Sequence, residues 1–176
     1  MNSCLSSRFC NGFTLVELLV TISIVAVLLT IGLPSFVTFV NNNQISSATN
    51  DLVYSVHMAR SEAIKRGTQV RVASRSGSDW NNGWTVQADV NNDGDYEDAE
   101  DILMQWEPLQ GNIALTLVAT NVPDDTFLLF NPRGSLVPNN ALFSMTLTPG
   151  DCSNIDSRII SIQPTGRPET SYGDCS

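Results

Sequence analysis

An acidic stretch near the middle of the chain has the spacing of oxygen ligands around a hard cation. Its candidate calcium ligands are Asp89, Asn91, Asp93, Asp95 and Glu100. Oxygens at alternating positions can wrap Ca²⁺, Gly94 permits a sharp turn, and a closing glutamate can bind with both oxygens. The flanks resemble strands rather than the two helices of an EF-hand, so a solvated hairpin tip fits the same residues. The sequence therefore offers calcium as a candidate ligand and indicates no certain cofactor.

Few other residues could support catalysis. His57 is the only histidine, it falls in a helical stretch, and nothing nearby marks a nucleophile for it. Carboxylates clustered in a turn are poorly shielded for glycoside hydrolysis. Trp80, Trp84 and Trp106 fit a core or a sheet face better than a carbohydrate platform. We therefore expect a protein that is not an enzyme.

A lone carboxylate stands at the head of a long apolar segment. Glu17 precedes an uncharged run from Leu18 to Val40, which would rise about 34 Å as a helix and could cross a bilayer. Gly12 precedes this run, whereas the small residues of an ordinary secretory cleavage site follow the apolar core. Arg8 is the only charge before Glu17 and favours a cytoplasmic N-terminus. The chain is expected to keep this helix and export the rest; a plain signal-anchor helix is the alternative.

The segment Gly12-Phe13-Thr14-Leu15-Val16-Glu17 resembles the processing signal of type IV pilins and pseudopilins. The resemblance implies cleavage between Gly12 and Phe13 by a prepilin peptidase, methylation of Phe13, and a role for Glu17 in assembly with other pilins. Glu17 would then pair with the new amine of Phe13, its own or a neighbour's, or else lie in the lipid headgroups. Pro34 matches a proline common in pilins, and its missing N–H predicts a helix kink.

The resemblance implies that the chain has three segments, and export implies that its two remaining cysteines pair. Residues 1–12 are the leader to be removed, residues 13–42 the transmembrane and assembly helix, and residues 43–176 the periplasmic globular domain. Cys152 and Cys175 remain after processing, and in an oxidising compartment they most simply form one disulfide. A similar C-terminal loop occurs in many type IV pilins; two free thiols or a metal pair are the alternatives.

Helical spacing continues beyond the apolar run and then gives way to strand patterns. The helix is predicted from about Phe13 to Arg66, with Gly67 as its stop and Glu62 and Arg66 paired on its surface. Its buried stripe is predicted to comprise Ile45, Ala48, Leu52, Val56, Ala59 and Ala63, widened by Val53 and Ile64. The predicted strands are Gln69–Ala73, Trp84–Ala88, Ile102–Trp106, Ile113–Val118, Thr126–Phe130, Leu142–Thr148 and Arg158–Ile162. This order predicts an α+β, pilin-like fold in which a long N-terminal transmembrane helix packs its amphipathic second half on an antiparallel β-sheet domain.

A narrower resemblance covers nearly the whole chain. The helix end from Ala59 to Gly67 is similar to that of the GspH/FimT family of minor pilins and pseudopilins. In the same order follow Trp80-Asn81-Asn82-Gly83-Trp84, the acidic loop at Asp89, Phe130-Asn131-Pro132-Arg133-Gly134 and Pro164-Thr165-Gly166-Arg167. Members of the family are low-copy subunits that prime or cap a filament.

Nucleic-acid binding is disfavoured by charge. The formal net charge is −9, and no basic face is evident. The resemblance associates DNA uptake with a Gly-Arg-x-Arg pattern, but here Gly166-Arg167-Pro168-Glu169 carries an acid in place of the second arginine. We expect a structural minor pilin of a type IV pilus, with minor pseudopilin H of type II secretion as the alternative and a DNA-uptake pilin less favoured. Its expected location is the bacterial inner membrane, as a single-pass protein with a periplasmic C-terminal domain.

Overall fold

One long α-helix, one short 3-10 helix and nine strands make up the secondary structure of the described residues. The computed structural model describes residues 13–91, 94, 96, 101–122, 124–150, 152 and 155–175. Helix α1 spans Leu15–Arg66. The chain divides into two compact units, one ending at Val37 and the other beginning at Thr38.

Helix α1 ends as its sequence predicts. Lys65 and Arg66 occupy its last turn, where cations complement the negative end of the helix dipole. Gly67 then adopts φ +67°, and its N–H donates to the carbonyl of Ala63 at 3.0 Å. A glycine in this left-handed conformation is the usual helix stop because it has no Cβ to clash.

Two antiparallel sheets follow the helix. The five-stranded sheet has the order β3-β2-β1-β5-β6, and the four-stranded sheet has the order β4-β7-β8-β9. Strand β1 joins distant parts of the chain, since Val70 pairs with Ala88 on one side and with Phe130 on the other. The strands are β1 (Val70–Ser74), β2 (Trp84–Ala88), β3 (Ile102–Gln105), β4 (Ile113–Thr120), β5 (Phe127–Phe130), β6 (Leu136–Val137), β7 (Leu142–Pro149), β8 (Ser157–Ile162) and β9 (Pro168–Gly173).

A single buried cluster joins the second half of α1 to both sheets. The six residues predicted to form the body of the stripe, Ile45, Ala48, Leu52, Val56, Ala59 and Ala63, all lie in it, and Ile45, Leu52 and Val56 are fully buried. Full burial of one such large side chain contributes about 1.5–3 kcal/mol. The sheets add Val70, Val72, Val86, Leu128, Leu115, Met145, Leu147, Ile160 and Ile162.

The predicted α+β class is confirmed, with four differences in detail. The strands form two sheets, and β6 and β9 were not predicted. A short 3-10 helix, Trp80–Asn82, precedes β2. The prediction that Ile64 widens the buried stripe is wrong, because its side chain is 52% exposed; Val53 does pack partly buried against the core.

Candidate assembly segment and acidic loop

The first turn of α1 is built around Thr14 and Glu17. The Thr14 hydroxyl accepts the backbone N–H of Glu17 at 3.2 Å, and the Thr14 carbonyl accepts the N–H of Leu18 at 3.1 Å. Thr14 is therefore the N-cap, a role that satisfies one of the unpaired N–H groups at a helix start. This role of Thr14 was not predicted, although the Thr-x-x-Glu spacing of a capping box is its usual signal in a sequence.

Glu17 lies where a carboxylate is electrostatically favoured. It occupies the first turn of α1, near the positive end of the helix dipole, and its side chain is exposed. Glu17 is also the only charged residue from Phe13 to Asn50. A single carboxylate at the head of an uncharged helix can pair with a cationic group such as an amine.

The rest of this segment presents apolar side chains to its surroundings. Helix α1 is long and apolar enough to cross a membrane by length and composition. Its hydroxyl groups bond to its own backbone, as in Thr21 to Leu18 at 2.8 Å and Ser23 to Leu19 at 2.8 Å, so they need no water. Exposed large side chains include Leu15, Val16, Leu18, Leu19, Val20, Ile22, Ile24, Val25, Val27, Leu28, Leu29, Leu33, Phe36 and Val37. Such a surface fits lipid or other apolar helices.

The other predicted residues of this segment have separate outcomes. Gly12 lies outside the described residues, so cleavage before Phe13 stays a prediction. Phe13 itself is 76% exposed just ahead of the helix. Helix α1 runs without interruption through position 34, and the kink at Pro34 stays a prediction.

The acidic loop connects β2 to β3, so strands flank it, as the sequence indicated. Of the five predicted calcium ligands, Asp89 and Asn91 are described, whereas Asp93, Asp95 and Glu100 lie outside the described residues. Asp89 is buried, and its Oδ2 accepts the N–H of Gly94 at 3.2 Å.

Asp101, at the other end of the acidic loop, was not singled out from the sequence. It is fully buried, and its Oδ1 accepts the N–H of Val90 at 3.1 Å. Within the described part of the chain, no group of three or more His, Cys, Asp or Glu side chains could hold a metal.

Three of the short motifs noted in the sequence meet in space. The Nε of Arg60, in α1, donates to the carbonyl of Gly134 at 3.0 Å. A Cβ added at Gly166 would overlap the same carbonyl oxygen, and the N–H of Leu136 donates to the carbonyl of Pro164 at 2.9 Å. These motifs therefore hold the end of α1 and two turns together, which is a packing role.

The tryptophan motif also has a packing role. Asn81 Oδ1 accepts the N–H of Leu115 in β4 at 2.8 Å, which ties the 3-10 helix to the four-stranded sheet. Trp80 and Trp84 are buried, and the half-buried Trp106 stacks on Trp84 with ring centroids 5.9 Å apart. Two of the three tryptophans are thus core residues and cannot present a flat face to sugar.

The predicted ion pair on the surface of α1 is present, and His57 and Arg167 are both exposed. Arg66 Nε lies 2.6 Å from Glu62, and Lys65 Nζ lies 3.1 Å from it; hydrogen bonds from Arg66 and then Lys65 hold the pKa of Glu62 below its usual value. His57 is exposed on α1, and Arg167 is exposed at the turn before β9.

The two C-terminal cysteines form the predicted disulfide. Cys152 and Cys175 are bonded, with Cα atoms 5.4 Å apart. Cys152 follows the end of β7 and Cys175 follows the end of β9. The bond therefore closes the β8–β9 hairpin back onto the end of β7.

Comparisons with known proteins agree with this geometry. Two solved structures have similar folds: the type IV minor pilin FimU of Pseudomonas aeruginosa, and the minor pseudopilin EpsH of the type 2 secretion system of Vibrio cholerae. FimU is 22% identical, with a TM-score of 0.58, over 76% of this chain and 92% of FimU. EpsH is 14% identical, with a TM-score of 0.55, over 73% of this chain and 97% of EpsH.

Sequence comparisons identify the family. A search of curated protein sequences gives no match. Residues 7–33 match the prokaryotic N-terminal methylation motif, and residues 48–166 match the family described as type II transport protein GspH. With that match over more than half of its length, the chain belongs to the GspH family of minor pilins and pseudopilins.

Proposed function

We propose that this chain is a structural minor pilin of a type IV pilus that primes or caps filament assembly. A prepilin peptidase cuts after Gly12 and methylates Phe13; the helix spans the inner membrane once, and the globular domain lies in the periplasm. The observation that carries the proposal is the apolar, outward-facing surface of α1 up to Val37, with Glu17 alone at its head. Such a surface is stable only in lipid or against other apolar helices.

Glu17 gives this surface a register. A carboxylate at the membrane edge costs free energy unless it is paired. Processing would create an amine at Phe13, and the amine of a neighbouring subunit is the cation that could neutralise Glu17. Pairing between subunits would fix how far one helix slides along the next.

A minor pseudopilin of type II secretion is the second candidate. The similarity to EpsH supports it, and the similarity to FimU supports the pilus. The disulfide between Cys152 and Cys175 inclines the proposal towards the pilus, by analogy with the C-terminal loop of many type IV pilins.

The same proposal holds that the protein neither catalyses a reaction nor binds nucleic acid. His57 lies exposed on a helix, where water competes for any proton it would transfer. Glu169 follows Arg167 closely and would repel phosphate. Calcium at the acidic loop would be an accessory to a structural role rather than a catalytic cofactor.

Deletion of the gene separates the two systems. Surface pili are counted by electron microscopy, and secreted enzyme activity is assayed in the same cultures. Lost pili with normal secretion support the pilus, whereas normal pili with enzymes trapped in the periplasm support type II secretion. If neither process changes, both assignments fail.

Processing is tested separately with Gly12→Leu, with Asn11→Leu as the neighbouring control. We expect the Gly12 variant to keep its leader, seen as a slower-migrating band and as an unmethylated N-terminus by mass spectrometry. Asn11→Leu should be cut. Normal cleavage of Gly12→Leu would contradict the predicted site.

A further inference from the structure

Two aspartates are buried at the neck of the acidic loop. Asp89 directly follows β2 and is 7% exposed, and Asp101 directly precedes β3 and is 0% exposed. Surface loops rarely bury carboxylates, because an ionised carboxylate loses its hydration on burial and needs a compensating partner.

Each of these carboxylates is satisfied at one oxygen only. Asp89 Oδ2 accepts the N–H of Gly94, and Asp101 Oδ1 accepts the N–H of Val90. Asp89 Oδ1 and Asp101 Oδ2 are buried with no hydrogen-bond partner in the described part of the chain. These two oxygens, one on each side of the same loop neck, are buried acceptors without a donor among the described residues.

Hydrogen bonds to the backbone place Asp101 beside Asp89 in the neck of the loop. The backbone carbonyl of Asp101 accepts the N–H of Ala88 at 2.9 Å, and the side-chain Oδ1 of Asp101 accepts the N–H of Val90. Asp101 therefore binds the backbone on both sides of Asp89. Both aspartates also act on Tyr96. Burial, then the charge of Asp89, raises the pKa of Tyr96 to about 12, Asp101 adds to the rise, and Arg71 opposes it.

Arg71 is a nearby cation, and it is engaged with other groups. Its guanidinium lies 4.4 Å from the ring centroid of Tyr96, and its Nε donates to Gln87 Oε1 at 2.8 Å. These contacts place Arg71 beside the loop, while Asp89 Oδ1 and Asp101 Oδ2 keep no hydrogen-bond donor among the described residues.

We propose that Asp89 and Asp101 together bind one Ca²⁺-class divalent cation through Asp89 Oδ1 and Asp101 Oδ2. Two carboxylates balance the charge of a divalent ion, and calcium accepts carboxylate, carbonyl and water oxygens in irregular geometry, whereas magnesium demands a near-ideal octahedron. Asp101 then takes the closing position that the sequence pattern gave to Glu100. The ion would clamp the β2 end to the β3 start, and this inference does not depend on which filament the protein joins.

The test uses the full-length protein in detergent micelles. Terbium replaces calcium at oxygen sites, and Tyr96, in the same loop, is the aromatic side chain that would sensitise its emission. We expect saturable terbium luminescence that calcium displaces. At a hundredfold excess over Kd, calcium should raise the melting midpoint above that in chelator by about 5–10 °C.

Three variants make the test specific. Asp89→Asn and Asp101→Asn should each abolish the terbium signal and the calcium-dependent rise, while the exposed Asp156→Asn should keep both. In chelator, Asp101→Asn should melt no lower than the wild type, because it removes an uncompensated buried charge.

Wild-type measurements alone can overturn the proposal, even if the variants fail to fold. Equal midpoints in calcium and chelator, with terbium emission that calcium does not displace, would mean that the two aspartates bind no divalent cation. Loss of the signal in Asp156→Asn to the same extent as in Asp101→Asn would also overturn it.

Discussion

At the scale of single residues, Gly166 governs how closely the turn after β8 approaches the turn after β5. Its backbone has φ +75°, and an added Cβ would overlap the carbonyl oxygen of Gly134 and touch the ring of Phe130. That carbonyl also accepts the side chain of Arg60. Because Gly166 has no Cβ, its turn can pack directly against the Gly134 carbonyl that accepts the Arg60 side chain.

Gly166→Ala should be strongly destabilising for two reasons. A left-handed conformation costs a residue with a Cβ about 1–2 kcal/mol, and the overlap with backbone atoms adds to this, for a total of about 2–4 kcal/mol. Gly67→Ala is the matched control, because φ there is +67° with open space around the Cβ position. The difference between the melting midpoints of Gly166→Ala and Gly67→Ala measures the cost of the overlap at Gly166. Equal losses of stability in the two variants would contradict a steric effect there.

Residue roles were predictable where periodicity alone determines them. The buried stripe from Ile45 to Ala63 follows from spacing, because a helix repeats its facing positions every three or four residues. The role of Asp101 does not, since nothing in the local sequence shows that its side chain folds back onto Val90. Ile64 fails for the opposite reason: its spacing fits the stripe, but its side chain lies at the edge and remains exposed.

At the scale of elements, strands with a local alternating pattern were predicted, and strands without one were missed. Strand β7 was predicted because its residues alternate in polarity, and in the structure they alternate between buried and half-buried. Strand β9 has almost no apolar alternation and begins with Pro168, as edge strands can; its six residues pair with β8. Pairing of β1 with the distant β5 also depends on the whole core rather than on any local pattern.

The last turn of α1 carries a pH-dependent ion pair. Hydrogen bonds from Arg66 and then Lys65 lower the pKa of Glu62. The pair therefore stabilises the fold at neutral pH, and the effect is lost as the pH falls through the lowered pKa. Glu62→Gln should cost about 0.5 kcal/mol at pH 7 and progressively less as acid protonates Glu62. Glu107→Gln, at a more exposed pair with Arg75, is the control. A Glu62→Gln loss that does not shrink as the pH falls would exclude an electrostatic origin.

The C-terminal hairpin depends on its disulfide. Linking Cys152 to Cys175 across a sequence separation of 23 restricts the unfolded chain and contributes about 3 kcal/mol in the chain-entropy model. A Cys152→Ser/Cys175→Ser double variant should therefore melt about 6–12 °C lower. Reductant should lower the wild type to the same midpoint and leave the variant unchanged. If reductant lowered the melting midpoint of both proteins equally, the stabilisation would not come from this disulfide.

At the scale of the whole molecule, the chain separates two kinds of surface along its length. Up to Val37 the described side chains are largely apolar and exposed, with Glu17 as the only charge. From Thr38 onward the unit contains the core, the disulfide and the acidic loop. The first unit needs an apolar environment, whereas the negative charge of the second favours solubility.

A chain that begins at Thr38 should therefore fold without the assembly segment. Among the described residues, the apolar side chains buried in the core all lie at Ile45 or beyond, so the truncation removes exposed apolar surface and leaves these core residues in place. Produced in an oxidising compartment, this shorter protein should be monodisperse without detergent and should melt within about 3 °C of the full chain in micelles. The full chain without detergent, as the control, should aggregate. Precipitation of the short chain, or a much lower midpoint, would mean that residues before Thr38 contribute contacts to the fold and are more than an assembly segment.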